Sequence, residues 1–183
     1  YSDTFKIIFV GSVTERKNPK IIIESLEAID GNVSLEIIGQ TPNLKYLKEL
    51  NNLISSSKHA ESITMTPFLN SEELIKKYSS ANLFILPSKS EGLGRVVIEA
   101  QATACPVLVS SGTGIVDLII ESETGYIFDN NNRQDLKEKI QNIIENYDVA
   151  IQTGLNSRDF VKNNQSIENF EFGYRKLFDL VLA

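Results

Sequence analysis

Leu86-Pro87-Ser88-Lys89-Ser90-Glu91-Gly92-Leu93-Gly94-Arg95-Val96-Val97-Ile98-Glu99-Ala100 is the stretch on which the reading of the fold turns. The apolar run Leu83 to Leu86 stops at Pro-Ser, two glycines free the backbone, and helical periodicity begins at once. A strand-turn-helix step of this kind aims the first N–H groups of the helix at the carboxyl edge of a sheet, which makes an anion site. Two carboxylates frame it. Glu91 precedes the helix and can approach a ligand's hydroxyls, whereas Glu99 lies about two turns along. Carboxylates accept paired hydrogen bonds from sugar diols, so the pattern suits a phosphorylated sugar better than bare phosphate. Glu99 reads equally as a capped or salt-bridged helix face.

Outward from this stretch the apolar pattern alternates between short strand-like runs and longer helical ones. Phe5 to Val10, Val33 to Ile38, Ser62 to Thr66, Leu83 to Leu86 and Pro106 to Ser110 read as strands, mostly continuous in β-branched and aromatic residues; Tyr126 to Phe128 is a short sixth. Helical patterns lie near Pro19 to Ile29, Leu44 to Ile54, Ser71 to Tyr78, Val96 to Ala104, Ile115 to Ile120 and Arg133 to Ile144. Right-handed crossovers then give an α/β domain with a Rossmann-like, doubly wound parallel sheet. Asn70-Ser71-Glu72-Glu73 is a helix start, with polar capping residues followed by acids. Two extra helices close the chain, Val149 to Val161 and Ser166 to Leu182. The last carries Ile167, Phe170, Tyr174, Leu177, Phe178 and Val181 on one stripe, which needs a surface to cover.

The chain has 183 residues, 42% of them hydrophobic and 23% charged, which fits one globular domain. Its net charge of −6 disfavours nucleic acid and anionic membrane as general partners, so a polyanion must be met locally. Cys105 is the single cysteine; an intrachain disulfide and a Cys-rich metal site are excluded, and a reducing, cytoplasmic setting is the simpler expectation. No apolar run approaches the roughly 20 residues of a membrane span. The start at Tyr1-Ser2-Asp3 has neither signal-peptide architecture nor an initiator methionine, as in a piece of a longer chain.

Ligands of open parallel sheets gather at the carboxyl ends of strands, so the loops there are the candidates. After the first strand, Gly11-Ser12-Val13-Thr14-Glu15-Arg16-Lys17-Asn18-Pro19 sets a cation pair just before a helix. Lys17 can meet a phosphate there, and the loop reads equally as a solvated basic turn; the P-loop spacing is absent. Gly39-Gln40-Thr41-Pro42 and Pro67-Phe68-Leu69-Asn70 are turns first, between which a planar base would fit, with Phe68 and Leu69 giving apolar contact. Gly112-Thr113-Gly114 is either a second nest for the same ligand or a simple turn. His59, the only histidine, stands in a polar stretch and reads as an exposed loop residue, which leaves no Ser/His/Asp or Cys/His site. No D-x-D sequence is present, so the acidic metal-diphosphate clamp is missing.

Taken in order, Phe9-Val10-Gly11 with Lys17, Pro87-Ser88, Glu91-Gly92-Leu93-Gly94 with Glu99, and Pro106-Val107 resemble the GT-B glycosyltransferases. More narrowly, they resemble the C-terminal, donor-binding half of the retaining branch called group 1, or family 4. The resemblance implies metal-independent transfer of a sugar from a nucleotide-diphosphate donor to a saccharide or lipid-linked acceptor, with no cofactor and with retention at the anomeric carbon. It also implies a partner, the enzyme's own N-terminal domain, to which the last helix, 166–182, would cross. By the same resemblance Lys17 neutralises the leaving diphosphate, Glu91 lies by the donor sugar, and main-chain groups of Gly92, Leu93 and Gly94 hold its hydroxyls. Arg95 and Val96 offer N–H groups to phosphate and Glu99 holds the ribose diol; Gly11, Ser12, Gly39, Phe68 and Leu69, in the loops at the strand ends, are the candidates to border the nucleotide.

Three departures stand out. Ser12 replaces the usual second diphosphate cation, leaving Lys17 alone or with Arg16 as substitute. Ala104 stands where a glycine usually ends the motif helix, and Thr41 replaces another common glycine. A GT-B epimerase acting through cleavage of the anomeric bond, and a non-catalytic module that keeps only the pocket, are the alternative readings. The full-length protein is expected in the cytoplasm, with peripheral attachment to the inner face of the membrane as a further possibility.

Overall fold

Strand β1 (Phe5–Val10) pairs in parallel with β2 (Val33–Ile38) on one side and β4 (Leu83–Leu86) on the other. Strands β3 (Ile63–Thr66), β5 (Val107–Ser110) and β6 (Tyr126–Phe128) extend the sheet to the order β3-β2-β1-β4-β5-β6. These elements belong to a computed structural model that describes residues 4–165. The expected helix Ser166 to Leu182 lies outside the described residues. The strand order is that of a doubly wound sheet, whose winding reverses between β1 and β4, and the loops leaving those two strands part there to form a crevice.

Two strands begin one residue later than the apolar runs suggest. Ser62 closes a 3₁₀ turn, Ala60–Ser62, and Pro106 has no N–H for the ladder, although its carbonyl still accepts from Phe84 N at 2.9 Å. Nor are all the strands apolar on both faces. Ser34 and Glu36 of β2 and Thr64 and Thr66 of β3 alternate with buried residues, and Glu36 is held by Lys77 Nζ (2.7 Å) and Thr66 Oγ1 (2.9 Å).

Period-two alternation divides the core. On one face Ile7, Phe9, Leu35, Ile37 and Leu108 meet α1 (Lys20–Leu26), α2 (Leu44–Ser56) and α5 (Arg133–Glu145). On the other, Ile8, Val10, Phe84, Leu86 and Val109 meet α3 (Ser71–Ser80) and α4 (Arg95–Ala102). Helix α3 starts where expected, and on a capping box: Asn70 Oδ1 accepts from Glu73 N at 3.0 Å and Glu73 Oε2 from Asn70 N at 2.9 Å. The helix expected over Ile115 to Ile120 is instead a 3₁₀ turn, Gly114–Leu118. Gly114 N is already committed to Glu91 O, and β-branched Ile115 and Val116 favour a full helical turn less.

His59 is half-buried rather than exposed. Its Nε2 lies 3.0 Å from Leu26 O and pins the end of α1, so the residue is structural. Cys105 is buried, and burial pushes its thiol up to about 12. The neutral thiol therefore contributes stability fully below the unfolded thiol's range near 9, and loses it as pH rises from there towards 12. Iodoacetamide at pH 8 is expected to leave the folded chain unlabelled and to react only as urea unfolds it.

Helix α6 (Tyr147–Asn164) crosses the turn after α4 at Gly154. A Cβ there would stand 2.2 Å from Ala104 O. Ala104 itself adopts φ 62, the left-handed turn that the family's usual glycine would fill. That conformation costs an alanine about 1–2 kcal/mol, against about 0.5–1 for the extra freedom glycine loses on folding. Ala104→Gly is thus expected to stabilise the chain by about 0.5–1 kcal/mol, read as a higher urea midpoint at unchanged m.

Candidate functional site

Lys17 and Glu91 come from loops on either side of the reversal in the sheet and form an ion pair in which the lysine is buried. The turn after β1 makes this possible. Lys17 N donates to Thr14 Oγ1 (3.3 Å) and Asn18 N to Thr14 O (2.9 Å), which brings the chain back over Gly11. Ser88 Oγ donates to the same carboxylate oxygen of Glu91 at 3.3 Å. Arg16 Nη1 lies 3.7 Å from that oxygen and donates to Ser90 O at 2.7 Å. Arg16 thus ties the two loops together through Ser90 O, beside the Lys17–Glu91 pair. Ser12 is exposed.

Past Glu91 the chain turns through Gly92 and Leu93 into Gly94, the N-cap of α4, in the left-handed region at φ 62. Only glycine takes that conformation freely, and a Cβ there would also meet Leu86 at 3.1 Å. The N–H groups of Arg95 and Val96 start the helix without intrahelical acceptors and face the carboxyl edge. Gly112-Thr113-Gly114 is a packing element rather than a second nest. Gly114 N donates to Glu91 O at 3.0 Å, and a Cβ on Gly114 would stand 2.6 Å from Gly92 O.

Beside the ion pair, a cavity of about 380 Å³ is lined by Gly11, Ser12, Gly39, Phe68, Leu69 and Leu74. Phe68 is 72% exposed at its mouth. Leu74 also lines an apolar groove of about 510 Å³ between α3 and α4, where Glu99 stands with Ile75 and Tyr78. Tyr78 donates to Glu99 Oε2 at 3.2 Å. Burial, and then the charge of Glu99, push the Tyr78 phenol well above its ordinary range, so it stays a donor. The sequence reading missed Tyr78, since helical spacing marks it only as a core residue.

The structure thus brings most of the candidate donor-site residues to one edge of the sheet. Lys17 and Glu91 are paired, the Gly92 to Val96 helix entrance follows Glu91, and Gly11, Gly39, Phe68 and Leu69 enclose the cavity with Ser12. Glu99 lies in the adjoining groove. The combination offers a cation and free N–H groups for an anion, a carboxylate beside them, and an apolar cavity with a second carboxylate near it. Among the described residues no three His, Cys, Asp or Glu side chains converge as metal ligands, and no helix is long and apolar enough to cross a membrane.

The family model for glycosyl transferases group 1 matches residues 1–164. The chain belongs to that family. Among glycosyl transferases of this kind, the capsular polysaccharide biosynthesis glycosyltransferase CapM of Staphylococcus aureus is 31% identical over 172 residues, 90% of this chain and 43% of the relative. The chain spans about half the length of the relatives it matches. Among solved structures, the C-terminal domain of the group 1 glycosyl transferase LpcC from Francisella tularensis superposes with TM-score 0.82 at 22% identity, over 89% of this chain and 87% of that one. HepE of Anabaena, solved with UDP-glucose, superposes with TM-score 0.86 at 18% identity, over all of this chain and 50% of its own. The group 1 chain described here therefore has the fold of the C-terminal domain of a GT-B glycosyltransferase.

Proposed function

We propose that this domain binds a nucleotide-diphosphate sugar and, with an N-terminal partner domain, transfers its glycosyl group to a saccharide or lipid-linked acceptor. The observation that carries the reading is the ion pair of buried Lys17 with half-buried Glu91, set between the α4 entrance and the cavity at the sheet's reversal. In this reading the diphosphate meets Lys17 and the N–H groups of Arg95 and Val96. Charge that develops on the leaving diphosphate is stabilised by groups already in place, which is where rate is gained. Glu91 and the main chain of Gly92, Leu93 and Gly94 face the donor sugar. Glu99, steadied by Tyr78, takes the ribose diol, and the base lies in the cavity against Phe68 and Leu69.

Capsular polysaccharide biosynthesis in CapM and UDP-glucose in HepE are consistent with this class of substrate. Retention at the anomeric carbon, hexosyl transfer and independence of a metal belong to the same proposal and rest on the motif resemblance. Cytoplasmic placement belongs to it as well and rests on the single buried thiol. Titration of UDP, GDP and their sugar conjugates into the chain by calorimetry tests the reading. Calorimetry is preferred because the sequence has no Trp. Saturable binding of at least one of these is expected, and the absence of heat for all of them at millimolar concentration overturns it.

A further inference from the structure

We propose that Asn130 is a positioning residue that holds Glu91 against the Lys17 ammonium, an inference that rests on the donor-site reading above for its effect on binding. Asn130 lies in the loop between β6 and α5 and does not touch the ion pair. Its Nδ2 donates to Lys89 O at 2.8 Å, its Oδ1 accepts from Ser110 Oγ at 3.1 Å, and its main-chain N–H donates to Ser111 Oγ at 2.9 Å. The orientation of the carboxamide is set by chemistry. Lys89 O can only accept, so the NH₂ end must face it.

Lys89 is gripped from the other side as well. Its N–H donates to Arg16 O at 2.8 Å, and the next carbonyl, Ser90 O, accepts from Arg16 Nη1 at 2.7 Å. The segment between β4 and Glu91 belongs to no regular element, and Lys89 and Ser90 are exposed. Its shape is therefore set by these cross-loop bonds, with Asn130 holding the Lys89 carbonyl and Arg16 the amide. Gly112 permits the arrangement, since a Cβ there would stand 2.3 Å from Asn130 Nδ2 and 2.5 Å from Lys89 O. Two residues beyond Lys89 is Glu91, whose carbonyl is in turn fixed by Gly114 N. A carboxylate that must meet both a lysine and a ligand needs its loop held to a fraction of an ångström.

The test uses the whole chain carrying Asn130→Ala, which deletes the donor, or Asn130→Asp, which sets a carboxylate oxygen against Lys89 O. Amide hydrogen exchange and calorimetry with UDP and UDP-glucose are the readouts. Exchange of the Lys89 and Gly114 amides is expected to quicken about tenfold or more, while the amides of β4 and of α4 beyond its first turn keep their rates. UDP-glucose is expected to bind about tenfold more weakly, because Glu91 faces the sugar, and UDP about threefold at most, because Lys17 keeps its charge and its place over Gly11 when Glu91 loosens. Unchanged exchange at Lys89 and Gly114 overturns the proposal. So does equal weakening of both nucleotides with faster exchange throughout, which is the mark of a merely structural residue. Faster local exchange with both affinities intact overturns it too. If the unaltered chain binds neither nucleotide, the donor reading fails, and exchange alone decides whether Asn130 holds the loop.

Discussion

Lys17→Ala is expected to weaken binding of UDP about 30- to 100-fold while uridine binding stays within about twofold. A hydrogen bond between charged groups contributes about 1.5–3 kcal/mol, and each 1.4 kcal/mol is tenfold in affinity. The upper part of that range applies because Lys17 is buried and its ammonium is already aimed by Glu91, so little side-chain freedom remains to be lost when diphosphate arrives. Deleting the ammonium also leaves Glu91 beside the diphosphate with a weaker counter-charge. The nearest replacement, Arg16, is bound to Ser90 O, and moving it would loosen the loop that carries Glu91. Calorimetric titration of UDP and uridine into both proteins checks this, and equal losses for the two would remove the phosphate role from Lys17.

Gly39→Ala is expected to have the largest effect on stability, about 3–5 kcal/mol. A Cβ on Gly39 would stand 1.9 Å from Gly11 O, and the overlap is with main chain that no rotamer change relieves. Gly39 N is also committed to Thr66 O at 2.8 Å, and Gly11 N to Ile38 O at 2.9 Å, so neither strand end can move aside without breaking the ladder. Its φ of 149 adds backbone strain. Gly31→Ala separates the two causes, because Gly31 has φ 109 and nothing within 4 Å of a new Cβ. That substitution is expected to cost about 1–2 kcal/mol. Urea unfolding of the three proteins gives the comparison, and a Gly39→Ala loss no greater than that of Gly31→Ala would show that the contact between the loops is unimportant. For a chain of this length the expected loss lowers Tm by roughly 10 °C or more.

Much of the architecture was legible because it is written locally. The run Leu83 to Glu99 contains a strand, its stop, a left-handed glycine and a helix start, and each is decided by neighbours within a few residues. The helix start at Asn70 was legible for the same reason, whereas the left-handed turn at Ala104 was marked only by the family resemblance. Errors arose where a distant partner intervened. The short helix after Thr113 became a 3₁₀ turn because its first amide is spent on Glu91, and His59 is drawn inward by Leu26 O.

The site shows the same division. Residue types at strand ends marked Lys17 and Glu91 separately. Their pairing depends on the sheet placing β1 beside β4, with the partners 74 positions apart in sequence. Tyr78 and Asn130 had no local signature: the first looks like a core aromatic and the second like one of three asparagines in a turn. Arg16 stood out in sequence only as a substitute for the second diphosphate cation, and nothing there shows Ser90 O within its reach.

The pairing of Lys17 with Glu91 also bears on how a donor arrives. A cation already matched by a carboxylate projects little field beyond its own neighbourhood, and the chain around it carries a net −6. On the donor reading proposed above, a doubly charged diphosphate would approach a chain whose net charge repels it at long range and be recognised only at contact. Raising the ionic strength screens that repulsion and speeds the encounter, the reverse of the behaviour of proteins that draw nucleotides in through an open basic patch.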